Sequence, residues 1–179
     1  MKLSKMLFTA ISVVVFIFFF SPIAKSDMKI PQLSEGFLAY EKGDYQTAFK
    51  LWLPLAMQGD TTAQVALGHM YSDGEGVKQD YIEAVKWFRK AAEQGNASAQ
   101  LNLGVMYEHA IGLKQDYFEA IKWYRKAAEQ GDEGAQTQLG FAYALGRGVQ
   151  PNKELAKQWF GKACNKGVQM ACEAYVKLN

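Results

Sequence analysis

KWFRKAAEQGNASAQ, residues 86–100, returns 36 positions later as KWYRKAAEQGDEGAQ, residues 122–136, and again, eroded, as QWFGKACNKGVQMAC, residues 158–172. The offset extends well beyond this stretch. Trp87, Trp123 and Trp159 are in register, as are Ala63, Ala99, Ala135 and Ala171, and Gly59, Gly95, Gly131 and Gly167. Leu67-Gly68, Leu103-Gly104 and Leu139-Gly140 keep the period, and so do Tyr71, Tyr107 and Tyr143. Between Val77–Gln100 and Leu113–Gln136, 17 of 24 positions are identical. A fixed period of this size marks supersecondary units that stack to bury a continuous core.

Each unit reads as two helices. Asp80, Asp116 and Asn152 are natural N-cap residues, and Glu83 and Glu119 complete a capping-box pattern after the first two. Asn152 has Leu155 at that place, so its box is lost. Ala84, Trp87, Ala91 and their equivalents recur at helical spacing and form one apolar face. Gly95 and Gly131 are placed to stop that helix, because glycine takes a left-handed backbone at little cost. Asn96 and Asp132 cap the next helix, which buries Ala99, Leu103 and Tyr107 and their echoes. Gly104 and its equivalents let a neighbouring helix come close.

The run Ala63-Gln64, Leu67-Gly68, Tyr71, Gly74-x-Gly76-Val77, Asp80-Tyr81, Ala84, Trp87, Ala91-Ala92, Gly95 resembles the Sel1-like repeat, a relative of the tetratricopeptide repeat. Units then run over 63–98, 99–134 and 135–170. Ala110 departs from the pattern by replacing the first loop glycine, which predicts a tightened or reshaped turn. Upstream, Gly43–Trp52 matches the second helix of a unit, with a short helix over Glu35–Glu41 before it. That hairpin, within 27–62, resembles a tetratricopeptide unit more than a Sel1 one. Pro54 should kink or shorten its last turn. Downstream, 171–179 is a first helix without a partner, a capping helix. The expected fold is all-α, a right-handed α/α solenoid of helical hairpins.

The chain's start reads separately. Lys2 and Lys5 precede an apolar run, Met6–Phe20; Ser21-Pro22 break it, and Ala24-Lys25-Ser26 offers small residues for a cut before Asp27. This is the pattern of a secretory signal peptide over residues 1–26. The run is shorter than the roughly 20 residues of a membrane-spanning helix. A segment left uncleaved would be an anchor, the one route to the membrane that the sequence offers. Removing it takes away three lysines and no acid, leaving 17 basic against 18 acidic residues, a net of −1. A near-neutral domain lacks the electrostatic footprint of a nucleic-acid binder. The expected location is periplasmic or secreted.

Cys164 stands where Ala92 and Ala128 do, at the end of one helix, and Cys172 stands where Gln64, Gln100 and Gln136 do, at the start of the next. They are the chain's two cysteines. In an exported chain an even count so placed reads as a disulfide. Two small buried thiols, or a redox or metal site, are the alternatives, the last disfavoured by the absence of CxxC. A cysteine-rich secreted branch of the Sel1-like family bridges consecutive helices at this pair of positions, so the resemblance implies a bond between Cys164 and Cys172.

Residues with chemical potential have ordinary explanations. His69, Ser72 and Asp73 share one helical turn, which offers no pocket for a nucleophile and its oxyanion. β-Lactam chemistry has been attributed to the cysteine-rich branch, but Ser26-x-x-Lys29 sits at the cut and neither KTG nor SDN occurs. Gly74-Glu75-Gly76 and Gly146-Arg147-Gly148 follow helices rather than strands, unlike phosphate loops. The three tryptophans read as core. No metal or other cofactor is implied.

Function is expected on the first helices of the units, which in repeat stacks line the concave surface. There Val65, His69 and Ser72, then Leu101, Val105 and Glu108, then Thr137, Phe141 and Ala144 lie opposite the core positions and vary between units. Val65, Leu101, Val105 and Phe141 are apolar, so either neighbouring helices partly bury them or they floor a groove for a partner peptide. Asn102 and Gln138 beside them could bond an extended backbone. The expected binding set is Val65, His69, Leu101, Asn102, Val105, Glu108, Gln138 and Phe141, on a non-catalytic adaptor for an unidentified protein. An envelope hydrolase or ligand binder acting on cell-wall or β-lactam compounds is the alternative.

Overall fold

The computed structural model describes the backbone of residues 22–178 and the side chains of 31–178. Among the described residues the regular structure is helical: α1 Pro22–Glu41, α2 Tyr45–Met57, α3 Thr61–Asp73, α4 Tyr81–Glu93, α5 Ala97–His109, α6 Tyr117–Glu129, α7 Glu133–Leu145, α8 Lys153–Cys164 and α9 Gln169–Lys177. The helices pair as four hairpins, α1–α2 to α7–α8, with α9 closing the stack as an unpaired first helix. Each packs chiefly on its neighbours in sequence, most extensively within a hairpin, as in a solenoid. The expected signal peptide falls largely outside the described residues; of it, residues 22–26 belong to the backbone of α1. No helix among the described residues is long and apolar enough to cross a membrane.

The start differs from expectation. In place of a short helix over Glu35–Glu41, α1 begins at Pro22 and passes through Pro31. Among the described side chains, Leu33 and Tyr40 lie against the first core cluster; upstream of Leu33 no core pattern in the sequence marks the helix. Pro54 does not shorten α2, which has the same 13 residues as α4 and α6. Pro54 and Lys50 are both exposed, so the Lys50 carbonyl, deprived of the usual N–H, can bond water instead.

The caps form as the sequence suggests, with two differences. Asp80 accepts from the Ile82 and Glu83 N–H groups, Asp116 from Phe118 and Glu119, and Asn152 from Leu155. Glu83 and Glu119 do not reach back to complete a box. They pair with Lys86 and Lys122, because the N-cap N–H groups are already taken. Asp80 N–H donates to the Tyr71 carbonyl at 2.9 Å, Asp116 to Tyr107 at 3.0 Å and Asn152 to Tyr143 at 2.8 Å. That bond ties the start of each second helix to the end of the first. Ala110 is the second difference. Its φ of 58° and ψ of 36° match Gly74 (76°, 27°) and Gly146 (71°, 32°), so the turn keeps its shape and alanine takes the strain.

Close approach explains the helical glycines. A Cβ on Gly68 would lie 2.7 Å from the Phe88 ring, on Gly104 2.5 Å from Tyr124, and on Gly140 2.5 Å from Phe160. Each ring is nearly fully buried. Trp87 and Trp123 are core residues and Trp159 is half-buried; the amines of Lys90, Lys126 and Lys162 lie over their rings at 4.1, 4.3 and 4.0 Å.

A buried glutamine joins each hairpin to the previous one. Gln64 Nε2 donates to the Ala56 carbonyl at 3.0 Å, Gln100 to Ala92 at 3.0 Å and Gln136 to Ala128 at 3.2 Å. The oxygens of Gln64 and Gln100 accept from Gln94 and Gln130, both at 2.8 Å. The third rung is incomplete: Lys166 stands where Gln94 and Gln130 do and donates to the Gly131 carbonyl, and the Gln136 oxygen is unpartnered. At the fourth, Cys164 and Cys172 occupy the alanine and glutamine positions and are bonded to each other, with Cα atoms 4.6 Å apart. A covalent link thus replaces a hydrogen bond between the same two places. It falls on the helix that needs it: α9 has no side-chain cap and buries only Ala171 fully.

Candidate functional site

Successive hairpins meet at three junctions: α1–α2 with α3–α4, α3–α4 with α5–α6, and α5–α6 with α7–α8. At the second junction the surface opens into a pocket of about 460 Å³. Its polar side is His69, Ser72 and Asp73 from α3, Gln79 and Tyr81 from the entry to α4, and Asn102 from α5. Its apolar side is Phe88 from α4, Val105 and Met106 from α5, and Ile111 from the loop after α5. The His69 ring meets Phe88 edge-on, with centroids 5.0 Å apart.

The same place at the third junction is filled. There Glu108 replaces Ser72, Tyr124 replaces Phe88 and Arg147 replaces Ile111, each 36 residues on. The Arg147 guanidinium pairs with Glu108 at 3.0 Å and the Tyr124 hydroxyl donates to the other oxygen of that carboxylate at 2.7 Å. About 10 Å³ of space remains. Burial first, and the hydrogen bond to Glu108 second, push the Tyr124 phenol well above its ordinary pKa.

The first junction is tied across corresponding positions. Its first loop is shorter, and Gly36, whose Cβ would strike Trp52, takes the place of Gly68. Tyr40 then stands where Ser72 does, and Glu75 where Ile111 does. The Tyr40 hydroxyl donates to Glu75. That bond, followed by partial burial, raises the Tyr40 pKa from 10.0 to about 12. Two junctions are therefore latched by a polar pair, Tyr40–Glu75 and Glu108–Arg147. At the second, the pair is Ser72 and Ile111, which cannot bond.

The residues expected to bind divide accordingly. His69, Asn102 and Val105 share the second-junction pocket. Val65 is half-buried against the α4–α5 core cluster, Leu101 and Val105 against the α6–α7 cluster, and Phe141 against α8, its ring 4.9 Å from Phe160. The apolar strip is thus partly consumed by packing between hairpins. Glu108 is buried and engaged within the chain, and Gln138 is half-buried outside the pocket. Ser72, Asp73, Gln79, Tyr81, Phe88, Met106 and Ile111 complete the pocket and are not in the binding set expected from sequence. The available signal was the change of Ser72 to Glu108 and Ile111 to Arg147 within one repeat pattern.

His69, Ser72 and Asp73 do share a pocket, contrary to the expectation of an exposed turn without one. Among the described residues no hydrogen bond joins them, so the base is not held between a nucleophile and an orienting acid. Nor does any cluster of three or more metal-ligating side chains occur among the described residues.

A helical-hairpin solenoid with this loop and glycine pattern is an α/α repeat protein. The Sel1 repeat family model matches residues 33–60, 61–96, 97–132 and 134–168, and the chain belongs to that family. The first match takes in the hairpin that resembled a tetratricopeptide unit. Members of the family are generally protein–protein interaction scaffolds. Among solved structures, the chain is similar to a protective antigen of uropathogenic Escherichia coli with an SLR fold: 42% identity, TM-score 0.78, over 83% of this chain and 33% of that one. It is also similar to a Sel1 repeat protein from Oxalobacter formigenes, at 37% identity and TM-score 0.74 over 78% of this chain and 56% of that one. With Helicobacter pylori cysteine rich protein B the identity is 26% and the TM-score 0.57, over 73% and 93% of the two chains. The chain therefore spans about a third and just over half of the first two relatives. No curated protein sequence matches it.

Proposed function

We propose that the chain is an exported, non-catalytic scaffold that binds a protein partner on the face formed by its first helices, with the second-junction pocket at the centre of the contact. One observation carries the reading: the pocket is open at the junction where Ser72 and Ile111 cannot bond, whereas a polar pair of the chain's own side chains ties the corresponding positions at both flanking junctions. His69, Asn102 and Val105 line it, while Val65 and Leu101 are half-buried on the same first helices. The disulfide and the similarity to a cysteine-rich protein favour a place outside the cytoplasm, where such bonds persist. A relative described as a protective antigen fits the same location.

The test is a crosslinking capture from the native cell envelope, using the full chain and an Asn102→Trp variant whose bulk fills the pocket. Loss from the variant of a defined protein that the wild type captures, with the helical circular dichroism unchanged, is the expected result. Identical captures by both would refute binding at this face.

A further inference from the structure

The pocket's hydrogen-bonding inventory says what kind of group it lacks. Asn102 spends its amide nitrogen on the Ser98 carbonyl at 3.0 Å, and Gln79 spends its own on the Ser72 carbonyl and the Tyr81 hydroxyl at 2.7 and 3.0 Å. Their carboxamide oxygens remain as acceptors. Beside them stand the Ser72 hydroxyl, the exposed Asp73 carboxylate and the His69 ring, which meets Phe88 edge-on, and no lysine or arginine lines the pocket. An acceptor-rich, negatively charged polar side faces an apolar one built from Phe88, Val105 and Ile111.

The third junction shows what satisfies such a cleft. There the corresponding space is closed by an arginine, whose charged end meets the carboxylate of Glu108. Resting on the scaffold reading above, we propose that the second-junction pocket takes an arginine side chain presented by a partner protein. The guanidinium donates to Asp73, Ser72 and the free oxygens of Asn102 and Gln79, and its methylene stem lies along Phe88, Val105 and Ile111. Arginine suits this better than lysine: its five planar donors can serve several spread acceptors at once, where an ammonium is a compact point charge.

The test uses the full chain with its disulfide formed and three acetylated, amidated tripeptides, Gly-Arg-Gly, Gly-citrulline-Gly and Gly-Glu-Gly, followed by amide chemical shifts. Citrulline keeps the shape of arginine and removes its charge. The expected result is saturable binding of the arginine peptide with shifts at Ser72, Phe88, Asn102 and Ile111, at least about 10-fold weaker binding of the other two, and about a 10-fold loss in Asp73→Asn, the size expected for one charge-assisted bond. A Ser72→Glu/Ile111→Arg variant, which rebuilds the third-junction latch here, should abolish those shifts. Equal binding of arginine and citrulline, preference for the glutamate peptide, shifts confined elsewhere, or unchanged affinity in Asp73→Asn would each overturn the assignment. Asp73 is exposed, so its variant tests the idea even if the double variant does not fold. If the arginine peptide fails while envelope capture still depends on Asn102, only the arginine assignment falls, and the scaffold reading stands.

Discussion

The second and third junctions are built from the same 36-residue pattern and differ in outcome: one holds a pocket of about 460 Å³, the other about 10 Å³. The backbone does not make the difference, because the turns between α3 and α4, α5 and α6, and α7 and α8 share one geometry even where Ala110 replaces glycine. Three side chains do. Serine, phenylalanine and isoleucine leave the second junction open; glutamate, tyrosine and arginine close the third. A repeat protein can in this way leave one interface open while its own side chains tie the others.

The comparison can be broken most severely at the glycines beneath the two rings. Gly104→Ala should cost about 3 kcal/mol in denaturant unfolding, because the new methyl meets Tyr124, which Glu108 holds in place. Gly68→Ala should cost only about 1 kcal/mol, since Phe88 borders the open pocket and can shift into it. Equal losses would mean that the pocket gives Phe88 no freedom.

Replacing both Cys164 and Cys172 by serine should cost roughly 2–3 kcal/mol by the chain-entropy estimate for so short a loop. Hydrogen exchange should rise first in α9, where neither a side-chain cap nor a buried glutamine substitutes for the bond. Uniform loss of protection across the stack would contradict the local role.

Glu108→Ala should cost about 2 kcal/mol, leaving the buried Tyr124 hydroxyl without its acceptor, whereas Ser72→Ala should fall within about 0.5 kcal/mol of wild type. Thermal unfolding of the two variants side by side measures whether the latch holds the third junction.

Smaller still, Ala110→Gly should stabilise by about 0.5–1 kcal/mol, the relief of a left-handed alanine less the added freedom of the unfolded chain. A neutral or destabilising result would show that the turn is unstrained.

The latches also predict an alkaline limb. Tyr40 titrates higher folded than unfolded, so its bond to Glu75 contributes fully below about pH 10 and is lost as the pH rises toward 12. Thermal midpoints should fall across that window by less in Tyr40→Phe than in wild type. An identical fall would remove Tyr40 from the account.

Much of this was legible in the chain. The 36-residue echo, the caps at Asp80, Asp116 and Asn152, and the glycines opposite aromatic residues follow from local rules of helix termination and packing, and repetition makes each rule visible several times over. The pairing of Cys164 with Cys172 was legible for the same reason, since their positions could be compared with Ala92 and Gln100. The pocket was only half legible. Asn102, His69 and Val105, expected on one face, do line the pocket, but Glu108 was expected on that face too, and nothing local shows that Arg147, 39 residues away, returns to claim it. The capping boxes failed similarly, because the tyrosine carbonyls that take the Asp80 and Asp116 N–H groups come from the preceding helix of the hairpin. What the sequence by itself determined is the hairpin and its repetition, which depend on neighbours along the chain. Which junction closes and which stays open was decided by side chains meeting across the stack, and only the tertiary structure brings them together.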